Sequence, residues 1–297
     1  MSVALLVLPD FLLIAFGALL ARRARFDGGF WSGVERLVYF VLFPALLFRA
    51  LASAPLTFTD ALPFVATGVA FTLGGIALSA LGQPLCRLPR DVFAACFQCG
   101  FRFNTYIAIA IAGRVAGEAG LARLALLIAV LVPLVNVAAV AVLARGRATH
   151  IGRELVRNPL VLACAAGLAW NALALPQPVV AMRVVELLAA AALPLGLLAV
   201  GAGLRLRGTD LPPRAIVWWN GVKLVALPAL ALAFARLFGL NAMETTIVVA
   251  MAAVPTATSA YVLAVQMGAP GAPVALLIST GTISAAVTLP LWLALVA

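Results

Sequence analysis

Three short polar clusters interrupt an otherwise apolar chain, and each carries groups able to hold a small polar molecule. The first is Phe101-Arg102-Phe103-Asn104-Thr105-Tyr106. A guanidinium such as that of Arg102 can grip a carboxylate through two parallel hydrogen bonds. The Asn104 amide can donate and accept with no charge to desolvate, and the Thr105 hydroxyl stands beside it. The second cluster, Val254-Pro255-Thr256-Ala257-Thr258-Ser259-Ala260-Tyr261, sets the hydroxyls of Thr256, Thr258 and Ser259 just after a proline. Pro255 removes a helical N–H and clashes with the preceding turn, which opens backbone groups to a ligand. The third, Pro133-Leu134-Val135-Asn136, offers a further amide at Asn136. Lys223, the only lysine, follows Trp218-Trp219-Asn220-Gly221; its charge could attract an organic anion, help couple transport to protons, or neutralise a buried acid. Blander roles stand beside each of these. The proline cluster also fits a packing kink with back-bonded hydroxyls, Arg102 fits snorkelling or internal pairing, and Asn136 fits an interhelical hydrogen bond.

No enzyme constellation accompanies them. The sequence has no HExxH, no GxSxG and no P-loop, and its single histidine, His150, stands in a loop. The chain is therefore expected not to be an enzyme and to need no cofactor or metal. Cys96 and Cys99 form a C-x-x-C without a second pair, and with Cys86 and Cys164 they read as small core residues. A net charge of +10 would raise nucleic acid as a partner in a soluble protein. Here the arginines lie in short loops, where they set orientation and meet lipid headgroups, so no nucleic acid is expected.

The elements that must position these clusters are membrane helices. The 297 residues are 65% hydrophobic and 10% charged, with a mean hydropathy of +1.16, against the quarter or so of charged residues usual in soluble domains. Ten segments have the roughly 20 apolar residues that a span requires: 3–21, 32–51, 61–83, 91–112, 121–144, 158–175, 179–203, 213–237, 243–267 and 272–296. The first apolar run lacks a basic lead and a cleavage site, and Arg22, Arg23 and Arg25 follow it, so it reads as a span and not a signal peptide. The odd-numbered loops hold twelve arginines, among them Arg87, Arg90, Arg145, Arg147, Arg153, Arg157, Arg205, Arg207 and Arg214. The even loops and their helix ends hold five: Arg49, Arg114, Arg123, Arg183 and Arg236. That bias puts the odd loops in the cytoplasm and both termini outside the cell (inner) membrane.

A shift of 150 residues brings Pro9 onto Pro159, Gly17 onto Gly167, Pro44 onto Pro194, Thr59 onto Thr209 and Asp60 onto Asp210. Farther on, a shift of 155 brings Tyr106 onto Tyr261 and Gly113 onto Gly268. This predicts two five-helix repeats, 1–148 and 149–297, within one all-α membrane domain. An odd helix count inverts the second repeat, the architecture of many secondary transporters. The expectation is a permease for a small organic anion, most simply a carboxylate, working by alternating access. Its site would lie where the fourth and ninth segments meet, with Pro44 and Pro194 as hinges or kinks, Gly201 and Gly203 as points of close helix approach, and Glu35 and Glu186 in interfacial structural roles. Two alternatives are a sodium-coupled symporter of the bile-acid type, for which only Glu244 offers a nearby acid, and a receptor or scaffold that keeps the fold without flux.

The ordered set Phe43-Pro44-Ala45-Leu46-Leu47-Phe48, Arg102-Phe103-Asn104-Thr105-Tyr106, Asn158-Pro159-Leu160, Leu193-Pro194-Leu195-Gly196-Leu197-Leu198 with Gly201, Val254-Pro255-Thr256-Ala257 with Tyr261, and Thr288-Leu289-Pro290-Leu291-Trp292 resembles the auxin efflux carrier family, which includes the plant PIN carriers and many bacterial permeases. The likeness covers essentially the whole chain, and the short central loop is of the bacterial type. It implies ten helices with both termini outside, a homodimer, and a site where broken fourth and ninth helices cross. It further implies export of small organic anions, auxin in plants and dicarboxylates such as malonate or malate in bacteria. Asn104 falls on the family's crossover asparagine and Pro255 on its ninth-helix proline. Many relatives also have a proline shortly after the asparagine; this chain reads Ile107-Ala108-Ile109-Ala110-Ile111 there.

Overall fold

The computed structural model describes residues 3–23, 26–53, 58–144, 158–205 and 211–296. Arg25, the linker with Arg145, Arg147, His150, Arg153 and Arg157, the boundary at 148, and Arg207, Thr209 and Asp210 lie outside the described residues. Within them every regular element is helical. Five helical stretches are long and apolar enough to cross a membrane: Ala61–Cys86, Arg90–Leu143, Val179–Ala202, Pro213–Leu237 and Gly271–Val296. Large apolar side chains such as Leu62, Leu173, Val179, Val217 and Leu237 point outward, as a lipid-facing surface requires.

In chain order the helices are α1 (Val3–Arg23), α2 (Gly28–Leu37), α3 (Phe43–Ala52), α4 (Phe58–Ala80), α5 (Gly82–Cys86), α6 (Arg90–Phe97), α7 (Thr105–Leu143), α8 (Pro159–Ala172), α9 (Val179–Ala202), α10 (Pro213–Gly221), α11 (Leu227–Leu237), α12 (Ala242–Ala253), α13 (Ser259–Gln266) and α14 (Gly271–Val296). The pair α2 and α3 is one rod interrupted by a π turn, Val38–Leu42; α10 and α11 are joined likewise through Val222–Ala226. Both turns lie just upstream of a proline at the second position of the next helix, Pro44 and Pro228. A proline cannot donate to the carbonyl four residues back and crowds it, so widening the preceding turn relieves the clash. The carbonyl that Pro228 leaves free, Leu224, accepts instead from the Trp292 indole N–H at 2.9 Å. Pro194, by contrast, is carried inside α9 without a change of helix type.

The fourth and fifth segments were expected to be separated by a connection over 113–120. The stretch labelled α7 is parted within that connection, two helices meeting at Ala116 (φ −136°) and Gly117 (φ 54°, ψ −142°), both outside helical geometry. Gly117 takes a backbone conformation open to glycine and little else, so the chain changes direction without a loop.

Close helix contacts depend on small residues. A Cβ on Gly17 would collide with the Leu198 carbonyl, and one on Gly201 with the Ile14 carbonyl, so α1 and α9 touch backbone to backbone. Gly167 of α8 meets the Phe48 carbonyl of α3 in the same way. These two approaches are related crosswise by the 150-residue shift, Gly17 with Gly167 and Phe48 with Leu198. At Gly203 a Cβ would meet nothing nearer than 3.6 Å, so that glycine is not required for close approach.

Charges segregate by end. At one end Arg114 pairs with Asp10 (2.7 Å), Arg49 with Glu118 (3.0 Å), Arg123 with Glu244 (3.2 Å) and Arg183 with Glu186 (2.7 Å). At the other, residues 26–28 come beside 202–205, and Cys86 and Leu88 pack with Leu211 and Ala215. Arg22, Arg87, Arg205 and Arg214 therefore share that end.

Candidate functional site

The site is built where two helices stop. α12 ends at Ala253, and Val254 turns extended (ψ 147°) because the residue before a proline is driven out of the α region. Helix resumes only at Ser259. The other interruption has no proline. After α6 a 3₁₀ turn spans Gln98–Gly100, Phe101 leaves helical geometry at φ −134°, and α7 starts at Thr105 under an Asn104 cap. The Asn104 Oδ1 accepts from the N–H groups of Tyr106 (3.0 Å) and Ile107 (3.3 Å), the local bond by which asparagine favours a helix start over a helix interior.

The two interruptions satisfy each other. The Asn104 N–H donates to the Pro255 carbonyl at 2.8 Å. The Thr256 hydroxyl donates to the Cys99 carbonyl at 2.5 Å, and the Gln98 amide to the Ala260 carbonyl at 3.0 Å. Ser79 on α4 takes the Phe97 carbonyl at 2.7 Å, with Gly100 packed where any side chain would strike Ser79. Inside a membrane each unsatisfied backbone group would cost several kcal/mol, so these pairings permit both breaks.

Arg102 lies across the crossing, 7% exposed. Its guanidinium donates to Gln98 Oε1 (2.9 Å), Asn136 Oδ1 (2.7 Å) and Ser259 Oγ (3.4 Å). All three partners are neutral, and none of the ion pairs among the described residues includes it. Arg102 borders a cavity of about 110 Å³ together with Asn104, Thr105, Asn136, Thr258 and Ser259. Tyr39, Tyr106 and Asn158 complete its polar wall, and among the described residues no carboxylate lines it. Two helix N-termini open onto it, because Asn158 caps α8 as Asn104 caps α7, accepting from Leu160 N–H at 3.0 Å. The Asn104 Nδ2 is buried without a hydrogen-bond partner. A guanidinium, two positive helix ends and a free amide donor around one small space favour an anion.

A family described as "Membrane transport protein" matches residues 147–293. A protein of Rhizobium meliloti (strain 1021) named "Putative malonate transporter" is 30% identical over 286 residues, covering 89% of this chain and 86% of the relative. This chain belongs to the auxin efflux carrier family of membrane transporters. In this carrier a second, larger cavity of about 360 Å³ adjoins the first through the shared Thr258 and leads toward the arginine-rich end between Trp31, Glu35, Gly203 and Arg205.

The residues singled out in the carrier's sequence do not all meet at one place. Arg102, Asn104, Thr105, Asn136, Thr258 and Ser259 meet at the smaller cavity. Pro255 and Thr256 are buried behind it and hold the crossing. Lys223 lies outside the cavity wall, 1% exposed, in the π turn before α11, and donates to the Ala252 carbonyl at the end of α12. Pro44 stands beyond its π turn next to Phe43, which stacks on Tyr106 at 4.6 Å, and Pro194 lies inside α9. Cys96 and Cys99 are buried in a small core cluster with Trp219 and Ala260. Sequence reasoning passed over Gln98 and Tyr39, and noted Asn158 only within the Asn158-Pro159-Leu160 likeness, not as a site residue. Asn158 carried a readable sign, an asparagine cap followed by proline at a helix start, and Gln98 was a lone amide in an apolar run.

Proposed function

We propose that this carrier moves a small carboxylate through the Arg102–Asn104 cavity by alternating access. One observation carries the reading: a buried guanidinium without a carboxylate partner borders a cavity walled by two helix N-termini and no acid. An uncompensated charge in a membrane interior is expensive, and a bound anion would offset it. Arg102, Asn104 and Thr105 would hold the carboxylate, with Asn136 and Ser259 steadying the guanidinium, Thr258 beside them, and Pro255 and Thr256 fixing the geometry. The name of the Rhizobium relative favours a dicarboxylate such as malonate.

The scaffold of this proposal is ten spans in two inverted repeats, 1–148 and 149–297, in an inner membrane with the arginine-rich end in the cytoplasm. The crosswise glycine contacts of Gly17 and Gly167 support the repeat. On that orientation the larger cavity is an inward-facing vestibule. The test is flux of radiolabelled malonate, malate and succinate in proteoliposomes holding the purified protein. Saturable flux of at least one is expected; correctly folded protein that carries none of them overturns the proposal.

A further inference from the structure

We propose that the Lys223 ammonium is a tethered replacement for a coupling cation, so that transport by this carrier proceeds without sodium. The inference rests on the carrier reading above and concerns a different part of the crossing. Breaking a helix leaves its last carbonyls without intrahelical donors and places the negative end of its dipole at the break. Transporters built on inverted repeats use such half-helix ends and unwound carbonyls to bind sodium or protons. Here the end is that of α12, and Lys223 is seated on it.

Five carbonyls at the crossing take a donor from outside their own helix turn. Ala252 takes the Lys223 ammonium, Pro255 the Asn104 N–H, Cys99 the Thr256 hydroxyl, Ala260 the Gln98 amide and Phe97 the Ser79 hydroxyl. The acid nearest in sequence, Glu244, begins α12 and pairs with Arg123 at the far end of that helix. No ion pair among the described residues includes Lys223. A buried ammonium without a carboxylate is costly, and the α12 carbonyl end supplies the opposing charge. Its backbone is specialised as well. Lys223 sits in the π turn forced by Pro228, which Trp292 of α14 braces through the Leu224 carbonyl. Such turns recur at functional positions. A sodium ion at the end of α12 would have to displace this ammonium.

The test has two readouts. In proteoliposomes, wild-type malonate flux is expected to stay within about twofold when choline replaces sodium, since the ammonium already holds the Ala252 carbonyl at the end of α12. Lys223→Ala is expected to lose about tenfold or more in choline and to recover in sodium or ethylammonium, which can enter the emptied space. Independently of flux, the melting temperature of detergent-solubilised Lys223→Ala should rise with sodium or ethylammonium while that of wild type does not. Wild-type flux that requires sodium overturns the inference, as does Lys223→Ala unaffected by any cation in both assays. If Lys223→Ala does not fold, Lys223→Met retains the packed volume without the charge; full flux in choline from that variant overturns it. If wild type moves no dicarboxylate, the carrier reading fails by itself, and the melting experiment still decides whether Lys223 occupies a cation position.

Discussion

The two helix breaks at the cavity are made by different means. The break after α12 is written locally: Pro255 forbids the helix and drives Val254 extended. The break between α6 and α7 has no proline; Asn104 caps the start of α7, and the carbonyls opened before it take donors from elsewhere, Ser79 from α4 and Thr256 from the opposite break. One interruption is imposed by a proline in its own segment, whereas the other leans on donors that the assembled bundle supplies. The half that carries the cation and the cap, Arg102 and Asn104, is the conditional half.

This contrast can be broken or sharpened experimentally. The largest effect is expected for Arg102→Gln, which removes a charge and a fork of donors from the cavity. Malonate affinity should fall roughly tenfold to a hundredfold, as loss of a charge-assisted pair implies; isothermal titration that shows unchanged affinity would remove the guanidinium from the site. Next is Gln98→Leu, which removes one of the three acceptors of Arg102 and the amide donor to the Ala260 carbonyl at once. A stability loss of about 3 kcal/mol is expected in a denaturant melt, and a loss below that of Pro255→Ala would reverse the ranking of the two breaks. Thr256→Val keeps the shape but leaves the Cys99 carbonyl unpaired, at a cost of about 1–2 kcal/mol. Its signature is local: hydrogen exchange should quicken over 99–104 far more than over 253–258. Pro255→Ala should change stability least, by about 1 kcal/mol or less, because the cross-bonds to Asn104 still hold the carbonyl in place. A fully helical 250–260 in that variant, seen as slowed exchange, would mean that the proline alone makes the break.

The same contrast explains what could be read in advance. Hydropathy located the helices because a span must be apolar along its whole length, and Pro255 announced its own break. Arg102, Asn104 and Asn136 stood out because polar side chains in such helices are rare and costly; their meeting at one cavity could only be conjectured. The opening at Phe101 was not legible, since its causes lie at Ser79 and Thr256, far off in sequence. The parting at Ala116–Gly117 was legible only as a connection somewhere over 113–120, not as the single glycine angle that makes it. Gln98 was missed for a similar reason. A single amide in an apolar run does not show that it will bridge Arg102 to Ala260. The position of Lys223 depends on a π turn set by Pro228 and on the end of a helix some 30 residues later.

The glycine contacts between α1 and α9 and between α3 and α8 bear on how the carrier can move. Helices that touch at their peptide planes have no side-chain cushion to shear, so they travel as one rigid plate. Each of these seams joins a helix from the front of the sequence to one from the back, and α3 also packs on α9. The plate of α1, α3, α8 and α9 is thus drawn from both halves of the chain. A motion that swung one half against the other like two jaws would tear both seams. For the alternating access proposed above, the remaining helices, with the crossing among them, would shift as a block against this plate, along a boundary that would cut through each proposed repeat instead of running between them.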